Sequence, residues 1–259
     1  MTHGSVFTGI GGFDWAAQQL DIDNIFNCEI NQFCRKSLKY HYPNSIQYGA
    51  IEQTDFSVHR GKLDILSGGF PCQDASNAKQ WGEGKQGLRG SRTGLAFHML
   101  RAVDEANPKV VVAENVSDFL EVNNGEDFRT ILGELAGMGY NAEWRVCYAS
   151  EVGAPQNRRR LYLVAYSSDI RLPKGQTFFS YVQETSSQVA WVAHGTSIQT
   201  FRGGYWNSEP PTICVDDGVP CELFGLSTSQ YRKEQLMAYG NAVIPQIPFA
   251  IFKKVKELI

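Results

Sequence analysis

The chain reads as an α/β protein: a mostly parallel sheet with helices on both faces, joined to a small irregular second lobe. Three observations carry this reading. Over residues 1–166 short β-rich runs alternate with segments of helical period, the signature of repeated strand–helix–strand units. The run "KVVVAENV" opens, after its lysine, with the unbroken apolar stretch Val110 to Ala113, as a central strand buried on both faces would. After Tyr166 the periodicity stops, and residues 167–230 are rich in Ser, Thr, Gly, Pro and isolated aromatics.

The elements follow in order. "SVFTGI" at 5–10 predicts the first strand, and "GGFDWAAQQL" a helix opened by glycines. "NIFNCEI" is the second strand, and "NQFCRKSLKYH" a helix stopped before Pro43. "KLDILSGG" is the third strand, and "GLAFHMLRAVDEANP" places Leu95, Met99 and Val103 on one helical face. "KVVVAENV" is the fourth strand. A helix over about 127–137 leads to β-rich "YNAEWRVCYAS" and then to "RLYLVAYS". Beyond the irregular lobe, helices are expected at about 232–239 and through "IPFAIFKKVKELI". This divides the chain into a catalytic domain at 1–166, a small lobe at 167–230 and a segment at 231–259 that returns to the catalytic domain.

Composition narrows the class. Of 259 residues, 42% are hydrophobic and 20% charged, the balance of an ordinary soluble protein. No apolar run is long enough to span a membrane, and Met1 to Phe7 lacks the basic and apolar regions of a signal peptide. The six cysteines are scattered without a C-x-x-C pair, and the five histidines do not cluster around them. A metal site is therefore not expected, and reduced thiols in the cytoplasm are. With a net charge of −3, any polyanionic partner must be held by local basic groups.

Two ends of the sheet carry candidate chemistry. "VFTGIGG" closes the first strand and opens the first helix, where glycines let the backbone turn tightly and approach a ligand. Glu29 follows Gly9 by 20 residues, where an acid hydrogen-bonds ribose hydroxyls. The spacing departs from G-x-G-x-x-G, which favours a nucleoside without a pyrophosphate, such as S-adenosylmethionine, over NAD. A tight turn beside a solvated acid is the bland alternative.

At the other end, "GGFPCQDAS" presents Cys72 just past a strand. It reads either as a buried thiol or as a nucleophile stiffened by Pro71, which would need activation because only the thiolate attacks strongly. The following loop, Ser76 to Gly94, is long, polar and glycine-rich and carries Lys79, Lys85, Arg89 and Arg92, as a lid over an anionic substrate would. Glu114 ends a buried strand, either as a plain tip residue or as a carboxyl that carries a proton near neutrality. In "PQNRRRLYLVA", strand alternation puts Arg158 and Arg160 on one face and Arg159 on the other. Arginine's rigid fork suits phosphates and base oxygens.

In series, "FTGIGGF", "CEI", "GGFPCQDAS", "AENV", "QNRRRLYLVA" and "YGNAVIPQ" resemble the DNA (cytosine-5) methyltransferases. The resemblance implies a Rossmann-like fold that uses S-adenosylmethionine and acts on double-stranded DNA, with a cognate restriction enzyme as a candidate partner and a monomeric, metal-free protein. It implies that Phe7, Gly9, Ile10, Gly11, Gly12, Glu29, Ile30, Ile51 and Pro71 hold the cofactor, closed by Asn241 and Val243. It further implies that Cys72 attacks the base at C6, that Glu114 with Asn115 protonates N3, and that Arg160 contacts the base. Gln156 and Arg158 would brace the pocket, and Gln73, Ser76 and Arg92 would contact DNA.

Three features depart from the family pattern. Ala50 stands where an Asp usually contacts the adenine amino group. About 70 residues separate the arginine block from "GNAV", a short span for target recognition. The helix-and-loop block that usually supports this region is replaced by "DDGVPCELFGLSTSQYRKEQL". Two other readings stay open: the tRNA-modifying branch, whose Cys-Phe-Thr tripeptide is absent here, and a non-catalytic DNA-binding relative, which has no need of Cys72, Glu114 and Arg160.

Overall fold

The computed structural model describes residues 1–70, 94–154, 157–182 and 224–259. Within them one seven-stranded sheet runs in the order β3-β2-β1-β4-β5-β7-β6. Its strands are β1 (Thr2–Val6), β2 (Asp23–Cys28), β3 (Ile46–Tyr48), β4 (Ile65–Gly69), β5 (Val110–Val116), β6 (Tyr140–Tyr148) and β7 (Arg159–Ser167). The pairings from β3 through β5 are parallel, while β7 runs antiparallel to both β5 and β6. The helices are α1 (Gly12–Gln18), α2 (Gln32–His41), α3 (Leu95–Ala106), α4 (Glu126–Gly137), α5 (Thr228–Asn241) and α6 (Gln246–Leu258).

Alternation along the strands builds two cores, one on each face. Val111, Ala113, Leu161 and Leu163 join the core beneath α3 and α4, which supply Met99, Val103, Phe128 and Ile131. Val110, Val112, Tyr162 and Val164 join the opposite core with Phe13 and Ala16 of α1 and Ile247, Ile251 and Phe252 of α6. The continuously apolar "KVVVA" run is therefore a strand covered on both sides, as its composition predicts. Residues 167–182, the described start of the irregular stretch, bring Phe178 and Val182 into the α1–α6 core.

Several boundaries differ from the sequence reading. The first strand lies at Thr2–Val6 rather than 5–10, because Phe7 has φ 50° and breaks the extended backbone. The three-residue β3 escapes a periodicity test because so few residues alternate. Helix α5 begins earlier than predicted, at Thr228, where Ser227 and Gln230 exchange side-chain and backbone hydrogen bonds in a capping box.

The chain leaves β1 toward β2 on one side, and β4 lies on the other. Open α/β sheets bind ligands outside the carboxyl ends of strands at such a switch point. Among the described residues no helix is long and apolar enough to cross a membrane, and no group of three His, Cys, Asp or Glu side chains could hold a metal ion.

Candidate active site

The carboxyl tips of β1 and β2 place the predicted nucleoside-binding residues together. Glu29 sits just past β2, and its amide donates to the Tyr48 carbonyl at 3.2 Å, tying this tip to β3. One carboxylate oxygen accepts from the Gly9 amide at 2.7 Å and the other from the Asn31 amide at 2.8 Å. The carboxylate is thus fixed in orientation, and each oxygen keeps a lone pair for a hydroxyl donor. Ile30, next to it, is 73% exposed, an apolar surface at a strand tip that suits a flat ring.

The other predicted cofactor residues divide by environment. Ile10 lines a narrow cavity with Phe33, Phe224 and Tyr231, between the loop, α2 and α5. Ile51 is buried, and its side chain belongs to the core. Ala50 contributes its carbonyl to Thr54 Oγ1 at 2.9 Å, so it shapes the short helix that follows. Val243 lies directly on Gly12, where an added Cβ would come within 2.4 Å of Val243 Cγ2. Asn241 is exposed at the end of α5. The absence of a side chain at Gly12 is what lets the C-terminal segment close on the loop.

Two further glycines shape the opposite half. A Cβ at Gly68 would lie 2.6 Å from the Val6 carbonyl oxygen, so close β1–β4 packing excludes it. A Cβ at Gly69 would lie 3.0 Å from Glu114 Oε2, so the carboxyl of Glu114 occupies the space a side chain would need. The strand ends at Gly69, and Phe70 after it is buried edge-to-face on Phe119 with centroids 5.3 Å apart. Pro71, Cys72, Gln73, Ser76, Arg92 and Gln156 lie outside the described residues, as does the whole predicted lid up to residue 93.

Glu114 pairs in register with Gly69 on one side and Tyr162 on the other. It is 7% exposed. Arg160 Nε approaches Glu114 Oε1 to 3.0 Å, an ion pair whose angle leaves Oε1 without an aligned hydrogen bond. Burial pushes this carboxyl up to about 7, against the opposing pull of Arg160 and Arg158. A carboxyl so balanced holds or releases a proton near neutrality. Asn115 points to the other face, is 3% exposed, and donates from Nδ2 to the Phe70 carbonyl at 3.2 Å.

The arginines have separate partners. Arg158 donates to the Gly240 and Ala242 carbonyls, each at 2.8 Å, clamping the segment that carries Asn241 and Val243. Arg159 turns to Asp118 at 3.2 Å and stays exposed. Together with Arg160 they line an open, polar recess with Ser117 and Asn157. Sequence reasoning groups Arg158 with the pocket but misses its backbone targets, which lie 82 and 84 residues away. It also misses Tyr162, fully buried opposite Glu114. Its only sequence signal is an aromatic on the arginine strand. Cys28, Cys34 and Cys147 are buried, and their thiols are pushed up to about 11, 12 and 12, as expected of inert packing residues.

Comparison with known proteins identifies the family. A family profile for the C-5 cytosine-specific DNA methylases matches residues 1–200. The chain is 31% identical over 232 residues to type II methyltransferase M.Eco47II of Escherichia coli, covering 80% of this chain and 54% of that protein. It is 30% identical over 236 residues to type II methyltransferase M.PspPI of a Psychrobacter species, covering 82% and 55%. The chain thus spans about half the length of these relatives. In fold it is similar to the Schizosaccharomyces pombe Dnmt2 methyltransferase, with a TM-score of 0.56 and 20% identity over 73% of this chain and 56% of that one. The chain belongs to the C-5 cytosine-specific DNA methylase family.

Proposed function

We propose that the protein transfers a methyl group from S-adenosylmethionine to C5 of cytosine in double-stranded DNA, through a covalent bond between Cys72 and C6. One observation carries the reading. Glu114, a carboxyl poised near neutrality and paired with Arg160, stands beside the strand end that leads into Pro71 and Cys72.

The residues at the β1–β2 edge fit the cofactor. Glu29 is oriented with free lone pairs toward a ribose, Ile30 offers an apolar surface for a purine, and the Gly9 and Gly11 amides are already taken by Glu29 and the Thr8 carbonyl. When bound, the cofactor supplies an electrophilic methyl on a positively charged sulfur.

The chain's own residues prepare the base. C5 of cytosine is a weak nucleophile. Attack by the Cys72 thiolate at C6 forms the S–C6 bond, while Glu114 delivers its proton to N3. The ring becomes an enamine that is nucleophilic at C5. After methyl transfer, a solvent water takes the C5 proton, the C5–H electron pair forms the C5–C6 double bond and expels Cys72 as the thiolate, and N3 returns its proton to the Glu114 carboxylate. Arg160 holds Glu114 and faces the base, and Asn115 fixes the approach to Pro71. Stacked DNA hides C6, so the base must flip out, at a cost of about a few kcal/mol. Gln73, Ser76, Arg92 and Gln156 are the proposed DNA contacts, with Phe7, Gly9, Gly11, Gly12, Ile51, Asn241 and Val243 completing the cofactor site. The setting is the cytoplasm of a cell whose DNA the protein marks, with residues 167–230 as the target-recognition lobe.

DNA containing 5-fluorocytosine tests the covalent step, since fluorine at C5 does not leave as a proton does. A denaturation-resistant adduct is expected with the wild type and absent with Cys72→Ala. Bisulfite sequencing of DNA from expressing cells should show target contexts protected from conversion. Methylation of DNA by the Cys72→Ala protein would overturn the mechanism. Methylation of tRNA alone would move the protein to the tRNA-modifying branch.

A further inference from the structure

Beneath the cofactor loop lies a buried polar chain that the reaction scheme leaves unused. Asp14 stands in the first turn of α1 and is fully buried. Its Oδ1 is 3.0 Å from Ser5 Oγ, which is 2.9 Å from Thr8 Oγ1, which is 3.2 Å from the Cys28 carbonyl oxygen. The Cys28 amide also donates to Thr8 Oγ1 at 3.2 Å. Thr8 belongs to the loop carrying Phe7, Gly9 and Ile10, and Cys28 immediately precedes Glu29.

Proton counting decides the state of this chain. Three oxygen–oxygen contacts need three protons, and the two hydroxyls supply two. If Asp14 is ionised, one contact is left as two facing lone pairs. Its Oδ2, which has no hydrogen-bond partner, would then be a bare charge in an apolar interior. A proton on Asp14 Oδ1 supplies the missing donor and removes the charge, leaving Oδ2 a neutral carbonyl oxygen. Asp14 then donates to Ser5, Ser5 to Thr8, and Thr8 to the Cys28 carbonyl.

We propose that Asp14 is a positioning residue that works as a neutral acid, its proton completing a hydroxyl chain that pins the cofactor loop to the tip of β2. The inference rests on the reading of that loop as the S-adenosylmethionine site.

The surroundings support a neutral carboxyl. Burial pushes Asp14 up to about 7, outweighing its bonds to Ser5 and to its own backbone. His3 of β1 is held by Asn24 and Ser67, and burial pushes it down to about 4, so it is neutral. Tyr42, after α2, donates its hydroxyl to the Gly11 carbonyl at 3.3 Å. Asn27 of β2 is buried and uncharged. On α6, which packs on α1, Lys253 lies over the Tyr181 ring. Lys254 is engaged by Gln176 and Glu257, and Lys256 by the Leu20 carbonyl. Among the described residues the partners of the Asp14 carboxyl are thus hydroxyl and backbone groups, and the causes that move it include no cation.

The test combines carbon-13 NMR of labelled aspartate carboxyls in the ligand-free protein with calorimetry of S-adenosylhomocysteine binding. Wild type, Asp14→Asn and Asp14→Ala are compared from about pH 6 to about pH 9, together with amide exchange at Thr8 and Cys28. Asparagine donates to Ser5 Oγ at every pH and so imitates the neutral acid. A carboxyl signal titrating near neutrality, absent in Asp14→Asn, is expected. Wild-type affinity should fall about fivefold across the range, the worth of one hydrogen bond. Asp14→Asn should lack that fall, and Asp14→Ala should bind weakly and exchange faster throughout. An Asp14 signal in the ordinary acid range overturns the proposal. So does a pH slope unchanged in Asp14→Asn, or an Asp14→Asn protein as weak as Asp14→Ala. If even the wild type binds no S-adenosylhomocysteine, the cofactor reading fails. The carboxyl titration and amide exchange still decide the role of Asp14.

Discussion

Asn115 Nδ2 donates to the carbonyl of Phe70 at 3.2 Å, so the strand that carries Glu114 also holds the last residue before Pro71. The Asn115 Oδ1 in turn accepts from the Val116 amide at 2.7 Å, which fixes the direction of the side-chain amide. Glu114 and the Phe70 carbonyl are thereby referenced to one strand. Asn115→Ala leaves a buried carbonyl without this donor, costing about 1–2 kcal/mol of stability. If the bond positions the Cys72 approach, kcat should fall about tenfold or more while KM for S-adenosylmethionine stays nearly constant. Asn115→Asp should not rescue it, because an ionised carboxylate offers no donor to Phe70. Steady-state kinetics beside thermal melts check this, and an unchanged kcat in Asn115→Ala would refute the positioning role.

The carboxyl of Glu114 makes the rate pH-dependent in a defined direction. The proposed acid role requires its proton, and burial lifts the group from 4.5 to about 7, so the acid-dependent limb of the rate should fall as pH rises through about 7. The unfolded chain gives up this proton at about 4.5. The stability contributed by the neutral carboxyl is therefore complete below that pH and is lost progressively up to about 7. Glu114→Gln should lower kcat by about 10²–10⁴-fold and flatten that part of the stability profile. A variant that kept the same pH–rate limb would remove Glu114 from the acid role.

The Gly12–Val243 contact yields a two-site prediction. A methyl at position 12 would collide with Val243 Cγ2 and crowd its carbonyl at 3.3 Å. Gly12→Ala should therefore destabilise the protein by about 1–3 kcal/mol, the usual range for overpacking, and weaken S-adenosylhomocysteine binding. Val243→Ala in the same chain should restore much of both. Additive losses in the double variant, read by melting and calorimetry, would show that the two residues do not oppose each other.

What could be read from the sequence followed the reach of the forces involved. The strand–helix alternation and the doubly buried "KVVVA" strand were legible because side-chain burial repeats with the local backbone period. Glu29 and Glu114 stood out as acids at the close of apolar runs; Glu29 directly follows β2, but β5 continues past Glu114 to Val116, because Asn115 and Val116 still pair with β7. The short strand at Ile46–Tyr48 was not legible, since three residues carry no period. The Ser227–Gln230 capping box was written in the chain, yet its helix has no amphipathic stripe to draw attention to it. The partners of Asn115, Arg158 and Asp14 lie in other elements. They follow from strand order, which local patterns do not encode.

Arg158 joins the two ends of the active site, and its replacements should separate two effects. Its fork holds the Gly240 and Ala242 carbonyls on either side of Asn241, and its charge also lowers the carboxyl of Glu114. Arg158→Lys keeps the charge but offers a single, differently shaped donor group. It should weaken S-adenosylhomocysteine binding about five- to tenfold by freeing one carbonyl, with the pH–rate limb of Glu114 in place. Arg158→Met removes both functions. Binding should weaken further, and the limb should move to higher pH, because a carboxyl that loses a neighbouring cation keeps its proton longer. Calorimetry reads the first effect and the pH–rate profile the second. A limb that moves equally in the lysine and methionine variants would mean that geometry, and not charge, couples Arg158 to Glu114.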